Sequence, residues 1–313
     1  MTEIERLLSE GFITEDFLKE EVRCEYRIPA EMKKVWAIQL DLMKKLFEVC
    51  KKHNLRIWVA AGTLIGAVRH KGFIPWDDDA DVFLPREDYD KLLQLDPKEF
   101  PEPYFLQSEF TDANNNFFTT VARLRNSRTF VDEKVCDRNK ITWNSGIFID
   151  IFPLDGIPKS KLITFLRFKH LKLLTVLHHA YTIDVNQLWP IRLCRKILKM
   201  PFIHYNTYNA IQRIHRIAKK TKYDNADKVG FIVITPYSIA RTSFKRNDWN
   251  GAIWMPFENI KVPAPEGFDN ILRTGYGDYM KFPPVEDRGK WHTYEFDPDT
   301  PYDQKVKSIQ QVK

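Results

Sequence analysis

At 313 residues, with 43% hydrophobic and 13% aromatic side chains, the chain has ample apolar material for a packed core, which sets disorder aside as its default state. Its formal charge of +6 conceals an asymmetry, because residues 159–222 hold fourteen Lys or Arg against the single acid Asp184, leaving the rest net acidic. No run approaches the roughly 18 apolar residues of a spanning helix, the scattered Cys24, Cys50, Cys136 and Cys194 form no disulfide framework or zinc site, and the charged start Met1–Arg6 lacks a signal peptide's apolar region. The expectation is a protein of a reducing cytoplasm.

In chain order, Met32, Val35, Trp36, Leu42, Met43, Leu46, Phe47 and Cys50 recur at helical spacing and predict an amphipathic helix over 31–52. Leu55–Ala61 reads as a short buried strand ended by the turn at Gly62-Thr63, with Thr63 capping a short helix to about His70. A strand over Val82–Leu84 is stopped by Pro85, and Glu87–Leu95 makes the next helix. Tyr104–Gln107, Phe118–Arg125 and Phe148–Phe152 are further strands; in the middle one Val121, Arg123 and Arg125 alternate with Ala122 and Leu124. From Ser160 to about Thr221 the pattern is helical, broken at Pro190 and Pro201. Trp249–Asp303, rich in Pro, Gly and aromatics with little periodicity, reads as a wrap or lid over the core.

This order implies an α+β fold, a mixed sheet core covered by helices with an added basic helical segment. The expected organisation is an N-terminal helical segment (1–54), a catalytic core (55–158), a basic helical insertion (159–228) and a C-terminal segment packing on the core (229–313). The basic insertion has two readings. Its cations line the solvated outer faces of helices, or they form a partner surface for nucleic acid, phosphate or anionic lipid. Leu162, Phe165, Leu166, Phe168, Leu171 and Leu174 interleave with them, as in an amphipathic stretch resting on a membrane.

The chemistry concentrates in Trp76-Asp77-Asp78-Asp79-Ala80-Asp81, four carboxylates leading into an apolar strand. Along a strand Asp79 and Asp81 project together while Asp78 faces away, and two aligned carboxylates repel unless a cation sits between them. An EF-hand loop is excluded: its glycine and terminal glutamate positions hold Val82 and Asp88, and the segment continues as a strand. A solvated acidic turn remains the plain alternative, opposed by the apolar flanks, which half-bury the acids. Asp150, alone among apolar neighbours in Gly146–Pro153, either faces Asp79 and Asp81 as a ligand or proton acceptor, or is satisfied by Arg123 or Arg125.

A Gly-Thr turn, an Asp-x-Asp strand start and a third Asp on a later strand together resemble the nucleotidyltransferase-fold arrangement. The run from Ala61-Gly62-Thr63-Leu64-Ile65-Gly66 to Asp79-Ala80-Asp81 resembles the LicD family, whose eukaryotic relatives include fukutin and fukutin-related protein. Ala122-Arg123-Leu124-Arg125 with Thr129, Ile149-Asp150-Ile151-Phe152-Pro153-Leu154-Asp155, and Gly275–Met280 with Pro283-Pro284 match in order and content; the basic helical block matches least.

The resemblance implies a Mg²⁺- or Mn²⁺-dependent transfer of a substituted phosphate, typically phosphocholine from CDP-choline, to a sugar hydroxyl of teichoic acid, lipopolysaccharide or capsule. Ribitol or glycerol phosphate donors are the variants. Asp79, Asp81 and Asp150 would hold the metal and carry catalysis, while Gly62, Thr63, Arg69, Trp76, Asp77 and Arg123 would bind substrate. For each Arg a salt bridge to the Asp cluster is the alternative. Trp76, Trp143, Tyr276, Tyr279 and Trp291 are aromatics that could enclose a choline, and His292 is a candidate acid–base group. The implied partners are a CDP-linked donor and a lipid-linked glycan at the inner face of the plasma membrane, with peripheral contact through 159–222 and no nucleic acid. Two rival readings remain: a nucleotidylyltransferase using the same carboxylates on a sugar or nucleic acid, and a non-catalytic glycan- or lipid-surface protein holding a structural cation.

Overall fold

The computed structural model describes residues 1–108, 110–111, 120–134, 141–182, 189–200, 203–232, 242–290 and 294–311. In chain order these form α1 (Glu3–Ser9), β1 (Glu21–Arg23), β2 (Tyr26–Ile28), α2 (Ala30–Lys52), β3 (Trp58–Val59), α3 (Ala61–Ile65), β4 (Asp81–Pro85), α4 (Arg86–Leu92), β5 (Tyr104–Gln107), β6 (Ala122–Asn126), β7 (Phe130–Asp132) and β8 (Ile147–Ile157). There follow α5 (Lys161–Thr182), α6 (Trp189–Leu198), α7 (Thr207–Ala218), β9 (Lys228–Gly230), β10 (Phe244–Lys245), β11 (Ala252–Phe257), β12 (Ile260–Pro265), α8 (Phe268–Tyr276), β13 (Glu295–Asp297) and α9 (Tyr302–Gln311).

The expected α+β architecture is present: a seven-stranded mixed sheet with helices packed on it. Its organising member is β8, eleven residues long and mostly buried. On one side β8 runs parallel to β4, with Asp81 opposite Asp150. On the other its first half pairs antiparallel with β6, placing Arg123 opposite Asp150, and its last residues pair with β9. A strand flanked on both edges by others reads as a near-continuous apolar run, as Ile147-Phe148-Ile149 and Ile151-Phe152 do. The interruption at Asp150 is therefore the informative residue.

Helix α2 covers this sheet, burying Val35, Trp36, Leu40, Met43, Leu46 and Phe47 among others in one core with Val59, Val82, Leu84 and Ile149. The same core continues to Phe257, Val262 and Leu272. A smaller cluster joins α5 to α7 through Phe168, Leu171, Ile214 and Ile217, with Val121 and Ile232.

Several boundaries differ from expectation for local reasons. β3 is only two residues long, because β4 supplies its pairing at Trp58 and Val59 alone. The helix after it changes to a wider π-helical turn at Gly66–His70. Gly66 permits this close path, since a Cβ there would lie 2.4 Å from the Gly72 carbonyl oxygen. Thr63 does not cap α3. The cap position is Ala60, and the Thr63 hydroxyl accepts a 2.8 Å hydrogen bond from the Asp81 amide instead. Pro190 lies within the first turn of α6 rather than breaking a helix, a position where its missing N–H costs nothing. The aperiodic C-terminal stretch contains a hairpin, β11–β12, and helix α8; their short lengths and prolines hid them. Among the positions read as strand, 118 and 119 lie outside the described residues.

The C-terminal stretch is tied to the core by specific bonds. Trp58 donates from Nε1 to the Gly251 carbonyl at 2.8 Å, Arg23 forks onto Glu258 at 2.6 and 2.9 Å, and Arg288 donates to the Cys24 carbonyl at 2.8 Å. Away from this region, Arg86 at the start of α4 binds Asp155 of β8 bidentately at 2.7 and 2.9 Å, both side chains being buried. Replacing Arg86 with Met leaves the Asp155 carboxylate buried without its cation, and should cost about 3–5 kcal/mol in urea unfolding. The Arg86→Met/Asp155→Leu pair should recover most of that loss.

Candidate active site

The loop between the π-helical turn and β4 carries the acids. Residues 77–80 are irregular and β4 begins only at Asp81. The strand alternation that would turn Asp78 away therefore does not apply. Asp77, Asp78 and Asp79 each place a carboxylate oxygen within 4.8 Å of the others. The loop is held from behind by α2. Trp36 Nε1 donates to the Asp77 carbonyl at 3.3 Å and Gln39 Nε2 donates to the Asp78 carbonyl at 2.9 Å, two residues on one face of the helix. The Thr63 hydroxyl fixes the Asp81 amide from the other side.

Gly62 closes the floor. A Cβ at that position would sit 2.4 Å from Asp77 Oδ2, so the acid packs directly against the glycine's Cα face. Ala61 precedes it with a φ of 44°, a left-handed conformation that costs an alanine about 1–2 kcal/mol and is sustained by the packing around it.

Across the sheet, Asp150 binds Arg123 Nε through Oδ1 at 2.7 Å. Arg123 continues to Glu133 at 2.6 Å, and Arg125 reaches the other oxygen of Glu133 at 2.8 Å. Both guanidiniums lie over the Phe148 ring, Arg123 at 3.8 Å. Burial works to raise the Glu133 carboxyl, but the two arginines override it and hold it below the ordinary value. Asp150 thus sits next to Asp81 in register and is paired with Arg123 at the same time.

The electrostatics of the loop run the other way. Burial, then the charges of Asp150 and Asp78, push Asp79 up to about 7, while a hydrogen bond with Asp77 opposes the rise. Burial and the neighbouring Asp79 raise Asp77 and Asp81 well above the ordinary carboxylate range; Arg123 relieves Asp81 only in part. Asp77, Asp79 and Asp81 have no salt-bridge partner among the described residues. Crowded hard oxygen donors carrying excess negative charge fit a divalent cation such as Mg²⁺, and the cluster Asp77–Asp79 could hold one. Asp79 belongs both to this cluster and to the electrostatic group of Asp81 and Asp150.

The remaining expected site residues are distributed unevenly. Arg69 is spent on structure as well as charge: Nη1 donates to the Tyr279 carbonyl at 2.6 Å, and Nε donates to His70 Nε2 at 2.9 Å. That bond requires a neutral imidazole, and burial with the Arg69 and Arg23 charges holds His70 down at about 4. One face of Trp76 already receives a cation, the Arg288 guanidinium at 4.6 Å, and its edges meet Tyr26 and Phe282. Trp143 is buried beside Phe130 and Ile141. Tyr279 is buried too, its hydroxyl donating to Asp269 at 2.8 Å. Trp291 and His292 lie outside the described residues.

Among the described members of this set, Tyr276 alone is exposed while its hydroxyl feels the charge of the acids. Desolvation and then Asp81, Asp77 and Asp79 raise its pKa. Tyr294 was missed by sequence reasoning. Its ring meets Phe148 edge-on at 5.6 Å, and it senses Arg123, Asp150 and Asp79 from just before β13. Glu133 was missed as well. No local signal marks either residue, because each reaches the site through pairing with a distant strand.

A tight glycine floor, an acidic loop opening a strand and a third aspartate on the parallel neighbour lie together here. The sequence profile of the LicD/FKTN/FKRP nucleotidyltransferase domain matches residues 54–201. The chain is 27% identical over 261 residues, 82% of its length and 94% of the relative's, to the lipopolysaccharide cholinephosphotransferase LicD of Haemophilus influenzae (strain ATCC 51907 / DSM 11121 / KW20 / Rd). Stretches of 58 residues, 18% of this chain, are 47% and 45% identical to uncharacterised proteins of Rickettsia prowazekii and Rickettsia typhi, covering 22% and 19% of those proteins.

Two measurements probe the geometry. A Gly62→Ala variant displaces the Asp77 carboxylate rather than the backbone, so it should stay folded by circular dichroism while titration calorimetry shows Mg²⁺ affinity lowered by about tenfold. Asp79, raised from 3.8 to about 7, binds its proton more tightly folded than unfolded. The Asp79 contribution to the stability of the metal-free protein is therefore complete below about pH 4 and is lost as pH rises through 7. Scanning calorimetry should show the protein's Tm falling between about pH 5 and about pH 8, with Mg²⁺ restoring more at the higher pH.

Proposed function

We propose that this protein is a divalent-cation-dependent phosphotransferase that moves a substituted phosphate, phosphocholine from CDP-choline foremost, onto a sugar hydroxyl of a cell-surface glycan precursor. The observation that carries this reading is the convergence of Asp77, Asp78, Asp79 and Asp81 with Asp150 at the point where β4 and β8 run in register. The donor and acceptor classes come from the relative named for lipopolysaccharide and choline phosphate, aligned over most of both chains.

Mg²⁺ or Mn²⁺, when bound, would neutralise the diphosphate charge that develops as CMP leaves. In this reading Asp79 and Asp81 hold the cation, with Asp77 and Asp78 within reach of Asp79. Asp150, oriented by Arg123, completes the ligand set or accepts the proton of the attacking hydroxyl. Gly62 gives the Asp77 carboxylate room to pack at the floor, and Thr63 fixes the Asp81 backbone. Arg69 and Arg123 supply positive charge, Arg123 from a buried position beside Asp150, and each also holds a structural bond. A quaternary ammonium needs an aromatic face without a resident cation. Tyr276 offers one, whereas Arg288 covers a face of Trp76.

A nucleotidylyltransferase could use the same acids, so the product must decide. Purified protein with Mg²⁺ should release CMP from CDP-choline in the presence of a glycan acceptor. CDP-ribitol and CDP-glycerol serve as donor alternatives. Pyrophosphate from a nucleoside triphosphate would replace this reading with nucleotidylyl transfer, and no product from any donor would leave a structural cation site. Asp79→Asn and Asp81→Asn should each lower turnover by about a thousandfold while the protein stays folded. Wild-type turnover by either folded variant would sink the assignment.

A further inference from the structure

Helix α5 is apolar on two opposite sides. Thr164, Phe168, Leu171, Thr175 and His178 form its buried stripe, which packs against α7 through Phe168 and Leu171. Leu162, Leu166, Leu173 and Val176 are offset from that stripe by two residues, roughly 200° around the helix. They face outward, with Leu162 67% and Leu173 57% exposed. Helix α6 has no buried residue at all, and its i, i+4 series Trp189, Leu193 and Ile197 is exposed, Trp189 at 71%.

A surface helix ordinarily turns polar residues outward, and a run of exposed leucine, isoleucine and tryptophan on two helices marks a contact surface. The cations are placed to serve it. Lys169 stands three residues after Leu166 and four before Leu173, on the same outward face; Lys196 stands three after Leu193. Across residues 159–222 the fourteen Lys or Arg meet one acid. Such a patch repels a second copy of itself. Its exposed members are mainly aliphatic and lack the aromatic platform that stacks nucleic-acid bases. Aliphatic side chains in a field of lysine and arginine, with a tryptophan at the margin, match the interface of an anionic bilayer. There the long basic side chains reach phosphates while their stems stay apolar.

We propose that α5 and α6 dock this protein peripherally on an anionic lipid surface. Leu162, Leu166, Leu173, Trp189, Leu193 and Ile197 enter the headgroup region, and the surrounding cations meet lipid phosphates. No helix among the described residues is long and apolar enough to cross a membrane, so the contact is interfacial. It stands apart from the proposed reaction, because none of these side chains belongs to the acidic site.

The full chain is tested by cosedimentation with vesicles of phosphatidylcholine mixed with phosphatidylglycerol, against phosphatidylcholine alone. The anionic vesicles should bind it at least about tenfold better, with the difference shrinking as salt rises. Leu166→Ser/Trp189→Ala and, separately, Lys169→Glu/Lys196→Glu should each lower that binding by about tenfold with Tm unchanged, since all four side chains are exposed. Equal partition to neutral vesicles, no binding to anionic ones, or undiminished binding by both folded variants overturns the proposal. So does a lipid-free dimer in analytical ultracentrifugation that Leu166→Ser/Trp189→Ala abolishes, which would make the patch a self-interface. CMP release from soluble substrates is expected to be the same in all of these proteins, so a failure here leaves the reading of the acidic site standing.

Discussion

Mutual repulsion among carboxylates is the constraint on which the rest of this structure is arranged. Asp77, Asp78, Asp79 and Asp81 are crowded where a buried strand begins, and burial together with the neighbouring carboxylates favours the protonated forms of Asp77, Asp79 and Asp81. A chain without a cation at this point would relax the loop into solvent. Here relaxation is blocked on three sides: Trp36 and Gln39 of α2 hold the loop's carbonyls, Thr63 holds the Asp81 amide, and Gly62 lets Asp77 pack where any side chain would expel it. The fold spends packing and hydrogen bonds to keep like charges together, which is the signature of a site prepared for a positive partner.

The opposite wall solves a related problem differently. Asp150 interrupts an apolar strand and would be costly there unpaired. Arg123 answers it, Glu133 answers Arg123, and Arg125 shares Glu133, so that buried charges alternate in sign over Phe148. Sheet register makes this possible, since β6 lies antiparallel to β8 with Arg123 facing Asp150. One acidic wall is therefore neutralised by protein and the other is left for a ligand. That division assigns Asp150 an orienting arginine, whereas Asp77, Asp79 and Asp81 have no salt-bridge partner among the described residues.

The C-terminal stretch matters because it brings distant groups to the same mouth. Arg69 and Arg288 bind backbone carbonyls across it, and Tyr276 and Tyr294 descend from it toward the acids. Its hairpin and helix are short, yet Glu258 at the hairpin tip binds both Arg23 and the Phe73 amide, fixing the segment that leads into the acidic loop. The mouth of the acidic site is thus assembled from segments far apart in the chain.

Local patterning in the chain accounts for the long amphipathic helix α2, the strand at Tyr104–Gln107, the core of β8 and the run of acids, whereas the turn expected at Gly62-Thr63 is instead part of α3. These are written in local periodicity and in residues that only a site would tolerate, such as an aspartate between isoleucines. The family resemblance was legible for the same reason, being carried by one contiguous run. Only the tertiary structure decided that Asp78 joins the cluster, that Asp150 is held by Arg123, that Thr63 serves the Asp81 backbone and that Trp76 is already matched to a cation. It alone brought in Glu133 and Tyr294, and it singled out Tyr276 from the candidate aromatics. Pairing register and the meeting of residues far apart in the chain are long-range properties, and they follow from how apolar faces close on one another rather than from any neighbour-to-neighbour pattern.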